Sequence, residues 1–257
     1  MNRRFKYFAI GGLILIIPLG LWNLSNSRSY QLAGELIADV QLADSLIALT
    51  FDDGPSAKYT DEILSILNHY NVKATFFVTG REVEEFPNEA RKIVEAGHQL
   101  GNHSYSHNKM IFRSASFIES ELDRTDQAIM DTGYKGEVYF RPPYCKKLIL
   151  LPMILKERNQ VSITWDIEPE SFAEVRSSSK NIASHISERV HPGSIILLHL
   201  MHNQREESRK SLPIFIEELQ KQGYRFVTID ELVRRSKKIA YNKSLKPTET
   251  RITRFAE

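Results

Sequence analysis

A single cysteine, Cys145, in 257 residues excludes an intramolecular disulfide framework and supplies no zinc-finger spacing. Charge of one sign is also scarce. Thirty-four basic and thirty-two acidic side chains leave a formal +2, too small and too dispersed an excess for nucleic-acid binding as the main activity. A neutral partner fits that balance, and the sequence points to no protein partner. The most apolar stretch, Phe8 to Trp22, contains Gly11, Gly12 and Pro18 and is shorter than the roughly 20 residues usually needed to cross a bilayer. Arg3, Arg4 and Lys6 precede it and an Asn-Ser-rich stretch follows, the order of basic and apolar regions in an export signal. Ser25 and Ser27 form no clear cleavage site. Residues 1–24 are therefore expected to be a signal peptide or an uncleaved signal-anchor at the inner (cytoplasmic) membrane. The body of the protein would then lie in the extracytoplasmic cell envelope, anchored or secreted.

What is present is enough apolar material, 42%, to bury one large α/β core. After a connector over residues 25–44, short apolar runs alternate with longer amphipathic segments, the βα signature. Strands are predicted at residues 45–51, 75–78, 99–102, 139–141, 161–166, 194–199 and 225–228, with helical periodicity over residues 60–70 and 212–222. About seven parallel strands joined by helices fit a distorted (β/α) barrel, since closure removes the edges. The catalytic domain is expected to span residues 45–235, followed by a polar, lysine-rich tail over residues 236–257.

Four short motifs close apolar segments: Thr50-Phe51-Asp52-Asp53-Gly54-Pro55, His103-Ser104-Tyr105-Ser106-His107, Arg141-Pro142-Pro143-Tyr144 and Leu197-Leu198-His199. Taken singly they are ordinary, because Asp-Gly-Pro is turn chemistry and paired histidines often sit on helix surfaces. Their shared position at the carboxyl ends of predicted strands, where parallel barrels build their sites, changes the reading. Two histidines four residues apart on a helical turn can reach one ion, a carboxylate from elsewhere completes the set, and a second carboxylate can activate water. The other histidines, His69, His98, His185 and His191, fall where capping, surface or core roles suffice, and His202, which could add a polar group at the mouth of the site, is expected at the surface.

These motifs resemble those of the polysaccharide deacetylases, the NodB-homology domain or carbohydrate esterase family 4, over roughly Leu46 to Val233. The resemblance implies a distorted (β/α) barrel that removes acetyl groups from N-acetylated sugars with a divalent metal. Zinc is expected first, with cobalt, nickel and manganese also compatible with such ligands. By resemblance, Asp53, His103 and His107 match the metal ligands, Asp52 the general base and His199 the general acid. Arg141 would orient Asp52, and the Tyr144 backbone N–H would receive the developing oxyanion. Pro143, Tyr144, Leu197 and Trp165 would line the substrate site.

One departure from the family pattern matters. Trp165-Asp166-Ile167-Glu168-Pro169-Glu170-Ser171-Phe172 stands where many members carry Asp-x-x-Asp-Trp. Ser171 replaces the second aspartate, which helps to tune the acid histidine, and Phe172 replaces the tryptophan. Asp166, Glu168 and Glu170 are the candidates to supply the missing charge. Cys145 and Leu200 also replace a common glycine and aspartate. The leading expectation is N-deacetylation of a glycan containing N-acetylglucosamine. An O-acetyl (xylan-type) esterase and a glycan-binding protein with weakened catalysis remain open beside it.

Overall fold

The computed structural model describes residues 20–244. Most of the expected signal segment, and the end of the expected tail, lie outside them. No helix among the described residues is long and apolar enough to cross a membrane.

Seven strands form, all paired in parallel: β1 Leu36–Ile37, β2 Leu46–Asp52, β3 Thr75–Val78, β4 Gln99–Asn102, β5 Ser162–Ile163, β6 Ile195–His199 and β7 Arg225–Val227. The sheet runs β4-β3-β2-β6, with β7 also on β2. Single bridges close the remaining arc, from Asn102 to Phe140, Phe140 to Ser162, and Ile167 to Ile196. The result is a distorted barrel of parallel strands.

Strand period places the chemistry. Alternate residues of a strand point to opposite faces. Ile47, Leu49 and Phe51 of β2 join the core beneath the helices, with Ile196 and Leu198 of β6. Leu46 and Ala48 face inward with Ile195 and Leu197. The same alternation carries Thr50 and Asp52 to the interior, and the register pairs Asp52 with His199. The inner face is therefore apolar at its base and polar at its carboxyl end.

Two strand expectations are corrected. Residues 139–141 contribute only the bridge at Phe140 rather than a strand, because Pro142 and Pro143 follow and have no N–H to continue a ladder. The strand expected over residues 161–166 shortens to Ser162–Ile163. The segment expected as connector supplies β1, which pairs with β5. The final helix, Ile229–Ser244, also extends into the region expected to be tail.

The connector is secured at several points. The backbone N–H of Lys147 donates to the Ser25 carbonyl at 3.1 Å, and the buried Lys147 ammonium donates to the Ser27 carbonyl. Thr164 Oγ1 donates to the Arg28 carbonyl at 2.5 Å. Farther along, Val40 N–H donates to the Gly193 carbonyl at 3.1 Å, and Gly193 N–H donates to the Leu46 carbonyl at 2.7 Å. Gly193 has φ +96°, and a Cβ there would lie 1.6 Å from the Val40 carbonyl oxygen. Gly193→Ala is therefore expected to lower unfolding stability by about 2–4 kcal/mol, combining backbone strain with the loss of this close approach. A urea midpoint unchanged from wild type would contradict that packing.

Candidate metal centre and its cavity

Beyond β2 the chain turns sharply. Asp53 and Gly54 are both left-handed, at φ 70° and 77°, so the two adjacent carboxylates do not simply continue the strand alternation. The Gly54 N–H donates to Glu82 Oε2 at 2.8 Å, and Thr79 N–H donates to the Gly54 carbonyl at 3.1 Å. Asp52 is left at the end of the inner face. Asp53 is turned toward the loop after β4.

That loop is not helical between His103 and His107, contrary to the expectation from their spacing. Ser104 and His107 have φ 63° and 57°, and side chains rather than helical hydrogen bonds hold the turn. Asn102 Oδ1 accepts from Ser104 N–H at 2.8 Å, Ser104 Oγ accepts from His107 N–H at 3.1 Å, and Glu121 takes both the N–H and the hydroxyl of Ser106 at 2.8 Å. Of eight non-glycine residues with positive φ among the described residues, Asp53, Ser104, His107, Tyr144 and Cys145 are grouped here. Such conformations are costly, and they persist where surrounding contacts over-determine them.

Asp53, His103 and His107 bring one carboxylate oxygen and two ring nitrogens within 4.8 Å of one another. His107 Nε2 lies 3.5 Å from Asp53 Oδ1. His103 Nδ1 is 2.8 Å from the Arg141 carbonyl. A carbonyl can only accept, so Nδ1 carries the proton and Nε2 keeps its lone pair. Burial, reinforced by nearby His103, pushes the His107 pKa down to about 4, leaving a neutral imidazole at ordinary pH. Burial alone would push the Asp53 carboxyl up. A hydrogen bond from His202 and the neighbouring His103, His199 and His107 overcome this and hold it well below the usual range. An ionised carboxylate and neutral ring nitrogens are the donor chemistry a catalytic divalent cation takes.

Arg141 is completely buried beneath this cluster. Its Nη1 donates to Asp52 Oδ1 at 2.6 Å and to Thr50 Oγ1 at 2.9 Å, Nε to the Ile163 carbonyl at 3.2 Å, and Nη2 to the Thr164 carbonyl at 3.1 Å. Its guanidinium carbon lies 4.0 Å from the Phe77 ring centroid. Burial draws the Arg141 pKa down while Asp52 opposes that shift. Asp52 Oδ2 lies 3.6 Å from His103 Nε2.

Across the site, Glu170 is the acid of the Trp165 to Phe172 segment that reaches His199. Glu170 Oε2 accepts from the backbone N–H of His199 at 2.9 Å and from its Nδ1 at 2.7 Å. Its other oxygen accepts from the Ser208 hydroxyl. Burial alone would lower the His199 pKa, but the hydrogen bond and charge of Glu170, joined by the charges of Asp52 and Asp53, raise it to about 9. The other two candidate acids do different work. Asp166 Oδ1 accepts from Ile195 N–H at 2.6 Å, at the closure of the barrel. Glu168 Oε2 accepts from Arg28 at 2.5 Å and from Trp165 Nε1 at 3.0 Å.

An open cavity of about 540 Å³ brings Asp52, Asp53, His103, His107, Tyr144, Trp165, Glu168 and His199 onto one wall system. Pro143 and Leu197, expected to contact substrate, are buried and do not line it. Leu197 lies two residues deeper along β6 than His199, inside the inner core. Trp165 reaches the cavity yet is only 6% exposed, with Arg28 over its ring at 5.0 Å. Tyr144 is 56% exposed, and its ring centroid lies 4.6 Å from that of His107. Other lining residues include Asn26, Arg28, His202 and Arg205. Asn26 and Arg28 come from the connector, and His202 donates from Nε2 to Asp53 Oδ2 at 2.9 Å. That pairing carries no sequence signal, because the two residues lie 149 positions apart.

Comparison with known proteins agrees with this architecture. A family model described as polysaccharide deacetylase matches residues 39–152. A peptidoglycan-N-acetylglucosamine deacetylase of Bacillus cereus is 33% identical, over 78% of this chain and 94% of its own. The peptidoglycan-N-acetylmuramic acid deacetylase PdaA of Bacillus subtilis is 32% identical, over 74% and 72%. The solved structure of the Bc1960 peptidoglycan N-acetylglucosamine deacetylase superposes with a TM-score of 0.72 at 30% identity, covering 77% of this chain and 92% of that one. The likeness in sequence, barrel and Asp-His-His cluster leads to one conclusion: the chain belongs to the polysaccharide deacetylase family, the metal-dependent esterases of carbohydrate esterase family 4.

Proposed function

We propose that this enzyme removes N-acetyl groups from peptidoglycan, on N-acetylglucosamine or N-acetylmuramic acid units, in the cell envelope. The observation that carries the reading is the hydrogen bond from His199 Nδ1 to Glu170 Oε2 at 2.7 Å, opposite the Asp53, His103 and His107 cluster. A carboxylate one position before Ser171, which replaces the usual aspartate, thus stands where the acid histidine needs one. That pairing favours catalysis over glycan binding alone. The named substrates of the relatives favour the amide over an O-acetyl ester.

Asp53, His103 and His107 would hold the cation, with zinc the first choice for two imidazoles and a carboxylate. Such an ion, when bound, supplies Lewis acidity toward the acetamide carbonyl and toward water. Asp52 accepts the proton of the attacking water, its Oδ1 fixed by Arg141 and its Oδ2 turned to His103. Pro142 and Pro143 have no N–H, so Tyr144 presents the first amide donor of its loop to the acetamide oxygen as negative charge develops. His199, held by Glu170 in the tautomer that keeps Nδ1–H inward, delivers a proton from Nε2 to the departing sugar amine.

Acetate release from purified peptidoglycan is expected to cease on chelation and to return with zinc. Asp52→Asn is expected to cut kcat by about 10²–10⁴-fold while zinc remains bound, and unchanged turnover would remove Asp52 from the role of base. The acid works only while protonated, so kcat is expected to fall as pH rises through about 9, the raised value for His199. Glu170→Gln removes the largest stabiliser of the imidazolium, and the alkaline limb is then expected to move down by about one unit or more. A pH–rate profile whose alkaline limb stays in place would show that Glu170 does not tune His199.

A further inference from the structure

His202 sits at the mouth of the cavity on the loop that leaves β6, and its position is built rather than incidental. The buried Arg209 side chain donates from Nη1 to the carbonyls of Leu200 and His202 at 2.7 and 2.8 Å. Between them, the Met201 side chain packs against Gly54 so closely that a Cβ on Gly54 would lie 2.5 Å from Met201 Cγ. Thr60 Oγ1 adds a contact to Met201 Sδ at 3.9 Å. The loop after β6 is thereby seated directly on the turn that carries Asp53. At that junction the His202 ring donates from Nε2 to Asp53 Oδ2 at 2.9 Å.

Only one face of the Asp53 carboxylate turns to the histidine ligands. Oδ1 lies 3.5 Å from His107 Nε2, whereas Oδ2 is occupied by His202. The group whose ligand atoms lie within 4.8 Å of one another comprises Asp53, His103 and His107, with His202 outside it. We propose that His202 is a positioning residue for the metal ligand Asp53: it holds Oδ2, fixes the carboxylate plane and presents Oδ1 to the cation. It deepens the assignment of Asp53, His103 and His107 as ligands, and rests on it.

A hydrogen-bond donor behind a ligating carboxylate limits its rotation and lowers the entropy lost when the ion binds. An unsupported carboxylate could swing away from the histidines or take the ion through either oxygen. His202 is 44% exposed at its side chain, so its replacement creates little buried void. The effect should therefore appear in metal affinity rather than in folding.

The test is zinc affinity of the full chain, stripped by chelation and titrated in competition with a chromophoric chelator. His202→Ala is expected to weaken zinc binding by about 10–100-fold, with kcat recovering at saturating zinc. His202→Gln places an amide N–H donor near the former Nε2 and is expected to restore most of the lost affinity. Wild-type zinc affinity in His202→Ala would overturn the inference, as would equal weakening in both variants. His103→Ala separates this from the ligand assignment itself. If that variant also binds zinc as wild type does, the cluster is not the zinc site. If it loses zinc while His202→Ala does not, only the role of His202 fails.

Discussion

The site depends first on one buried ion pair. Arg141 cannot remain charged in the barrel interior without an acceptor, and Asp52 supplies one at 2.6 Å. The remaining guanidinium donors then satisfy carbonyls of Ile163 and Thr164 and the hydroxyl of Thr50. Arg141's own backbone continues the connection: its N–H donates to the Asn102 carbonyl, and its carbonyl takes the Nδ1–H of His103. One residue therefore couples the end of β2, the end of β4, the short β5 and the tautomer of a candidate ligand. It also spans the arc where regular pairing between strands is replaced by single bridges. Removing the charge would leave a buried carboxylate unpaired and would also loosen the closure of the barrel, so structure and chemistry are not separable at this point.

Much of this was legible because apolar runs announce strands and strand ends announce the site. The alternation in β2 and β6 was enough to bring Asp52 and His199 to the same end of the fold. Elsewhere local pattern misled. The His103 to His107 spacing is compatible with a helix, yet a turn pinned by Asn102, Ser104 and Glu121 serves equally well to converge two imidazoles. The prolines after Arg141 hid how little strand precedes them. The pairing of His202 with Asp53 and the docking of the connector were unreadable for a different reason: their partners lie far away in sequence, and no spacing marks them.

The Glu168 to Phe172 segment shows how a carboxylate can reach one histidine from a shifted position. Ser171 cannot offer a charge, but Glu170 has a longer side chain and enters from the start of a short 3-10 turn to reach both the backbone and ring of His199. A carboxylate thus meets Nδ1 of His199 from a different position along the chain.

The docked connector bears on the mechanics of the whole molecule. Trp22 receives the Lys146 ammonium over its ring at 3.5 Å, and six residues later Arg28 already forms part of the cavity wall. Six residues reach about 20 Å even when fully extended, and here their carbonyls are tied down by Lys147 and Thr164. The stretch from Trp22 to Arg28 is therefore a short arm laid against the rim of the cleft. Orientation, and not merely proximity, is fixed between that arm and the opening of the cavity.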